Sequence, residues 1–460
     1  MNDPTRPLRR LVYTWFDAMQ EATAIPFIMR TTISTVALTA LLANLATAAP
    51  AYSAHTDRIP QTAKDEYYIS FGPRPYYIIQ NMTESPLKQK LESCENGPFG
   101  ITTWSIGHRG GGTLMIPEES VESTMAGARM GAGILECDVA FTSDLGLVCR
   151  HSICDLHTTT DILLRPELAK KCHTPFTPAN ATNAANALCC TSDITKAEFM
   201  SLCAKMDGSN SSAKTPQDYQ HGVPFFRTEL YDTCAQPMSL DSYITLVDSL
   251  PGYRNFTPEL KTPPAQVPMP FKGSYTQAQY ARDFIQTFIN HGIDPSRVWS
   301  QSFTPADVYL WLNEYPAFGN QAVFLDQDGD VASNWTTAVN RLPALKASGV
   351  NIISPPINYL LAVAADNKTI VPSDYAITAK KAGLDIIAWS FERSGPLTRV
   401  KADNDYYYTS VANAVHYDGQ LYEVLDIMGR QIGIKGMFAD WSATVTYYAN
   451  CMGLKGPGNN

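Results

Sequence analysis

The feature that most limits how this chain can fold is a recurring alternation: short apolar, β-branched runs separated by amphipathic stretches, with polar residues gathered where the apolar runs end. Strands are predicted at 256–261, 298–303, 322–325, 352–354, 384–389 and 436–438, with helices at 277–291 and 305–313. Further strands end at Gly107, Val139 and His151, and helices are predicted over 121–130 and 239–250. Strands joined through helices pair in parallel by crossover, which points to an α/β architecture. The count is nine candidate strands, one of which is expected to be a short hairpin or outer strand.

Several strand ends carry chemistry. In Gly133-Ile134-Leu135-Glu136-Cys137-Asp138-Val139, Glu136 and Asp138 are two apart, so in a strand both project from one face while Cys137 points away. Two carboxylates held together repel, and a hard divalent cation, Mg²⁺ or Ca²⁺, is the simplest compensation. The alternative is a strand end where water solvates both. Glu259 and Lys261 repeat the spacing downstream. They suit either a metal ligand beside a phosphate neutraliser or an ion pair that satisfies itself. His108 ends the run 104–107 and is followed by Arg109 and three glycines, and His151 ends the run 147–149. Two imidazoles at strand ends suit an acid and base pair, and Arg109 suits an anion clamp.

Taken in order, His108-Arg109-Gly110, Pro117-Glu118-Glu119-Ser120, Glu136-Cys137-Asp138-Val139, His151, Glu259-Leu260-Lys261 and Gln301-Ser302-Phe303 resemble the motif series of the glycerophosphodiester phosphodiesterase family. The strands holding Trp389 and 436–440 extend the likeness, which spans roughly Ser105 to Asp440. The segments 72–77, 93–98 and 154–160 are similar to secreted fungal members. The resemblance implies a TIM-type (β/α)8 barrel with a large cysteine-rich insertion after the third strand motif. It implies one divalent ion on Glu136, Asp138 and Glu259, and acid–base catalysis by His108 and His151, with His108 favoured as the base. Arg109 and Lys261 would bind the phosphate, Glu118 would order the site, and Trp389 and Phe391 would wall the pocket. The implied reaction releases glycerol 3-phosphate and an alcohol through a cyclic phosphate. Two rival readings are a phospholipase D-like enzyme acting on lipid headgroups and a catalytically silent binding scaffold. The chain departs from the family pattern at Glu119 and Ser120, which stand where Asn and Thr are usual; Glu119 is expected to add negative charge near the site.

Composition and cysteines set the remaining expectations. With 460 residues, 45% of them hydrophobic, the chain can fill one large core, and a formal charge of -9 argues against nucleic acid as a partner. A small glycerophosphodiester is the expected partner. Residues 1–48 read as an upstream extension and a secretory signal, 49–98 as a segment packing on the barrel, 99–451 as the barrel with an insertion at about 152–236, and 452–460 as a disordered tail. The apolar run at 33–46 is short for a stable membrane span. Ten cysteines fit an oxidising, extracellular or cell-wall location. Six fall in the insertion with their pairing open, Cys94 and Cys451 are placed to staple the ends, and Cys137 and Cys149 are expected to be buried free thiols. Six Asn-x-Ser/Thr sequons fit export, although Pro258 makes Asn255 a poor acceptor.

Overall fold

The computed structural model describes residues 68–231 and 234–458, so the expected signal segment lies outside the described residues. Eight parallel strands form the centre: β1 (Thr102–Gly107), β2 (Ala132–Phe141), β3 (Asn255–Leu260), β4 (Gln301–Ser302), β5 (Val323–Leu325), β6 (Ile352–Ser354), β7 (Asp385–Phe391) and β8 (Gly436–Ala439). Each pairs with its sequence neighbours, and β1 pairs with both β2 and β8, closing a (β/α)8 barrel. The ninth strand, Leu147–Cys149, runs antiparallel on β2 with Val139 opposite Cys149. It is the outer hairpin strand that the count required.

Alternation along the strands separates two apolar regions. Ile106, Ile134, Trp299, Val323, Ile352, Ile387 and Phe438 point inward and fill the barrel, while Leu135, Cys137, Val139, Phe256 and Met437 point outward under the helices. Above Ile134 on the inward face come Glu136 and Asp138, and β3 repeats this with Thr257 and Glu259. The barrel is therefore apolar low down and charged at the ends of its strands, where a site can form.

Helices match the predicted positions closely, at Val121–Arg129, Leu240–Ser249, Gln277–Asn290 and Pro305–Glu314. The first starts because the Ser120 hydroxyl accepts from the Ser123 amide at 3.1 Å. It lies directly on the loop after β1: a Cβ at Gly127 would stand 2.0 Å from the Gly110 carbonyl. Trp335–Ala347, Asp374–Lys381 and Ser442–Met452 are helices that the sequence pattern did not single out.

The insertion is a set of short pieces, including a hairpin of Thr174–Thr177 with Asn186–Leu188, cross-linked by Cys154–Cys190, Cys172–Cys189 and Cys203–Cys234. Cys94 and Cys451 are bonded, joining the segment before the barrel to its last helix. The expectation of free thiols at Cys137 and Cys149 is corrected: they form a disulfide with Cα atoms 5.3 Å apart. Both lie on the outward side of neighbouring antiparallel strands, two positions out of register, which brings their Cβ atoms within bonding reach.

Candidate active site

A cavity of about 530 Å³ opens at the strand ends, lined by His108, Arg109, Glu136, His151, Glu259, Lys261 and Trp389 among others. Register explains why these residues meet. Asp138 pairs across the sheet with Glu259, and Glu259 with Gln301, so three neighbouring strands offer their inward side chains at one height. One oxygen each from Glu136, Asp138 and Glu259 lies within 4.8 Å of the others. Burial and the neighbouring carboxylates push the Glu136 carboxyl well above its ordinary range. Burial likewise raises Glu259 to about 8, against the pull of Lys261. The buried Asp138 Oδ2 atom faces the Arg109 Nε atom as an ion pair at 3.5 Å, too long for a good hydrogen bond. Three crowded hard carboxylates on neighbouring strands, two of them raised by burial and mutual repulsion despite Lys261 and Arg109 nearby, are a donor set that a divalent cation fits.

Glu259 and Lys261 also form the self-satisfied pair, with Lys261 Nζ 2.6 Å from Glu259 Oε1 and 3.8 Å from Asp138 Oδ1. The two readings of Glu-x-Lys are therefore compatible. Gln301 Nε2 donates to Glu136 Oε1 at 2.7 Å and fixes that carboxylate from β4.

His108 is held as a dyad. Its Nδ1 lies 2.5 Å from Asp440 Oδ1, and its Nε2 faces Ser390 Oγ at 3.3 Å and Glu136 Oε2 at 3.8 Å. Burial lowers its pKa to about 4, although Asp440 pulls the other way. The ring is neutral at pH 7, with Nδ1–H donated to Asp440 and Nε2 free to accept a proton. His151 is also held well below its usual range, by burial and by the charges of Arg109 and Lys261.

Arg109 adopts φ 51, a left-handed conformation that turns its amide toward Glu136 Oε2 at 2.8 Å. Its guanidinium donates to both oxygens of Glu118 at 2.9 Å, and Arg393 reaches Glu118 Oε2 at 3.3 Å. Glu118 therefore lies behind Arg109 and sets its direction. Glu119, also left-handed at φ 58, is fully buried and accepts from the Asp138 amide at 3.2 Å. Burial and Asp138 raise its carboxyl well above the carboxylate range, which works against the negative charge expected of it.

Trp389 faces the cavity and packs edge-on against Phe303 at 5.8 Å. Phe391, expected beside it, does not line the cavity and is fully buried in the outer core. The register between β7 and β8 slips between Ala388 and Phe391, so the strand gains one residue and the alternation inverts. Ser390 faces His108 instead. Asp440, Gln301, Ser390 and Arg393 were missed as site residues. Asp440 carried a signal, since it continues the inward parity of Phe438 one step past β8; Arg393 follows the irregular end of β7 and carried none.

The model of the glycerophosphoryl diester phosphodiesterase family matches residues 108–440, from the first histidine to its aspartate partner. A protein of Arthroderma benhamiae named only as an extracellular protein is 46% identical over 250 residues, covering 54% of this chain and 100% of its own length. Glycerophosphodiester phosphodiesterase GDPD6 of Arabidopsis thaliana is 22% identical over 399 residues, covering 84% of this chain and 93% of the relative. A solved structure from Silicibacter pomeroyi carrying the same family name superposes with a TM-score of 0.50 at 17% identity, covering 80% of this chain and 98% of that one, a likeness of fold. With the match running from the residue after β1 to the residue after β8, this chain belongs to the glycerophosphoryl diester phosphodiesterase family.

Proposed function

We propose that this phosphoric diester hydrolase cleaves glycerophosphodiesters to glycerol 3-phosphate and an alcohol by paired histidine catalysis beside a carboxylate-bound divalent ion. The observation that carries the reading is the His108–Asp440 dyad, with Nε2 directed at the cluster of Glu136, Asp138 and Glu259. Glu136, Asp138 and Glu259 would hold Mg²⁺ or Ca²⁺, which when bound supplies charge stabilisation at a non-bridging phosphate oxygen. Arg109 and Lys261 face the same cavity and offset the remaining charge.

His108 Nε2 takes the proton from the glycerol hydroxyl next to the phosphate. That oxygen bonds to phosphorus, the bond to the headgroup alcohol breaks, and His151 protonates the departing oxygen. The product of this half is a five-membered cyclic phosphate, opened by water with the two imidazoles exchanging roles. Burial, with the charges of Arg109 and Lys261, disfavours the imidazolium of His151 in the free site, and a bound phosphate anion would offset those two charges and favour the protonated ring that donates to the departing oxygen. Trp389 and Phe303 give the alcohol an aromatic wall. Five disulfides, with no free cysteine among the described residues, support action in an oxidising, extracellular setting.

The test is ³¹P NMR of glycerophosphocholine incubated with purified enzyme and Mg²⁺ or Ca²⁺. Glycerol 3-phosphate should accumulate, and His108→Ala and His151→Ala should each slow its appearance by about 100-fold or more. Near-normal turnover in both variants, or release of phosphocholine instead, would overturn the assignment.

A further inference from the structure

The cysteine-rich insertion reaches the catalytic centre through one side chain. Arg227, close to the insertion's C-terminal end, has a side chain only 5% exposed. One of its terminal nitrogens lies 2.5 Å from Asp440 Oδ2, and the other donates to the Thr113 carbonyl at 2.7 Å. Arg393 approaches the same Asp440 oxygen at 3.0 Å, while Asp440 Oδ1 faces His108 Nδ1 at 2.5 Å. A single buried carboxylate is thus gripped by two guanidinium groups on one oxygen and by the imidazole on the other. Fixing Oδ2 fixes the carboxylate plane, and with it the direction from which Oδ1 meets the ring.

The seat for Arg227 is built from both sides. Phe226 packs on Gly395, where a Cβ would stand 2.9 Å from its ring, and the Arg399 guanidinium lies 4.7 Å from the Phe225 ring centroid. Gly395 is two residues from Arg393, so the loop that supplies one arginine also docks the segment that supplies the other. Cys203–Cys234 closes the stretch that carries Arg227. Asp440 sits well below the usual carboxylate range, with Arg393, His108 and Arg227 all lowering it against burial. It stays charged because the insertion and the loop after β7 both bring it a cation.

We propose that Arg227 is a positioning residue through which the insertion completes the active site: by holding Asp440 it orients His108, so that Nε2 meets the substrate hydroxyl. This rests on the histidine mechanism above. Removing a group that acts only through the base should lower kcat and leave KM nearly unchanged.

The experiment compares wild type with Arg227→Ala and Arg227→Lys in steady-state hydrolysis of glycerophosphocholine, and in the downfield ¹H NMR signal of the His108 ring N–H, assigned with His108→Ala. For Arg227→Ala the expectation is a loss in kcat of about 10-fold or more with KM within about 3-fold. Added guanidinium ion should recover part of the loss, Arg227→Lys should be intermediate, and the N–H signal should weaken or disappear. A folded Arg227→Ala enzyme with kcat within about 2-fold of wild type, a change confined to KM, or a loss that neither guanidinium nor lysine relieves would overturn the proposal. If Arg227→Ala does not fold, the same readouts on Arg227→Lys and Arg227→Gln decide it. Absence of turnover in the wild type would count against the hydrolytic mechanism, while the N–H signal would still report whether Arg227 sets the dyad.

Discussion

Asp155, just past His151, shows how the site's charges reach into stability. Burial raises its carboxyl to about 7, with Glu118 adding to the rise and Arg150 opposing it. The folded protein therefore binds this proton more tightly than the unfolded chain. The resulting stabilisation is complete below the ordinary carboxyl pKa and is lost as pH rises through about 7. Asp155→Asn keeps an oxygen for the Ser152 amide, which donates at 2.9 Å, and removes the titration. The variant should melt with the wild type near pH 4, gain steadily up to about pH 7 and hold that advantage above it; thermal denaturation across this range checks the claim. At this scale the site was largely legible, because His108, His151, Glu136, Asp138, Glu259 and Lys261 are all polar residues at the ends of apolar strands. The burial of Glu119 was not legible, because sequence alone does not reveal that its left-handed backbone turns the carboxyl into the protein. Asparagine tolerates that backbone better than glutamate, which gives the usual residue at this position a conformational reason.

Period-two alternation placed the inward carboxylates, and it failed where a strand breaks the period. On β7 one extra residue between Ala388 and Phe391 exchanges the two faces, which buries Phe391 outside the barrel and turns Ser390 toward His108. Local residue types do not announce such a slip. The helix Val121–Arg129 acts on the site in another way, since its Gly127 is the floor on which the His108–Gly111 loop rests. Gly127→Ala should cost about 1–3 kcal/mol by forcing helix and loop apart. It should also lower turnover, because the displaced loop carries both His108 and the Arg109 amide that binds Glu136. Denaturation together with activity of the purified variant tests this, and an unaltered enzyme would show that the contact relaxes without moving the loop. The Cys137–Cys149 bond was misjudged because an isolated apolar cysteine in a strand looks the same whether or not its antiparallel neighbour carries another.

The eightfold alternation of strands and helices made the barrel legible, whereas the shape of the insertion was not, since its short elements depend on three cross-links rather than on periodicity. Arg227 belongs to that illegible part; nothing in its local sequence points to Asp440. The barrel's two ends are joined by Cys94–Cys451, and beside the bond Tyr447 packs with Phe71 at 5.6 Å and with Phe99 at 5.3 Å. Replacing both cysteines by serine should reduce stability by about 2–5 kcal/mol, as read from denaturant unfolding, because the bond closes a separation of 357 residues. Activity of the folded fraction should persist, since neither cysteine approaches the cavity. The account as a whole depends on β2 and β3 presenting their carboxylates to one ion. Calorimetric titration of the purified enzyme with Mg²⁺ and with Ca²⁺ tests this most directly. One ion per chain should bind, and Asp138→Asn, which removes the charge of the carboxylate between Glu136 and Glu259, should abolish the binding while the protein remains folded. Binding that Asp138→Asn leaves unchanged, or no binding of either ion to the wild type, would contradict the account.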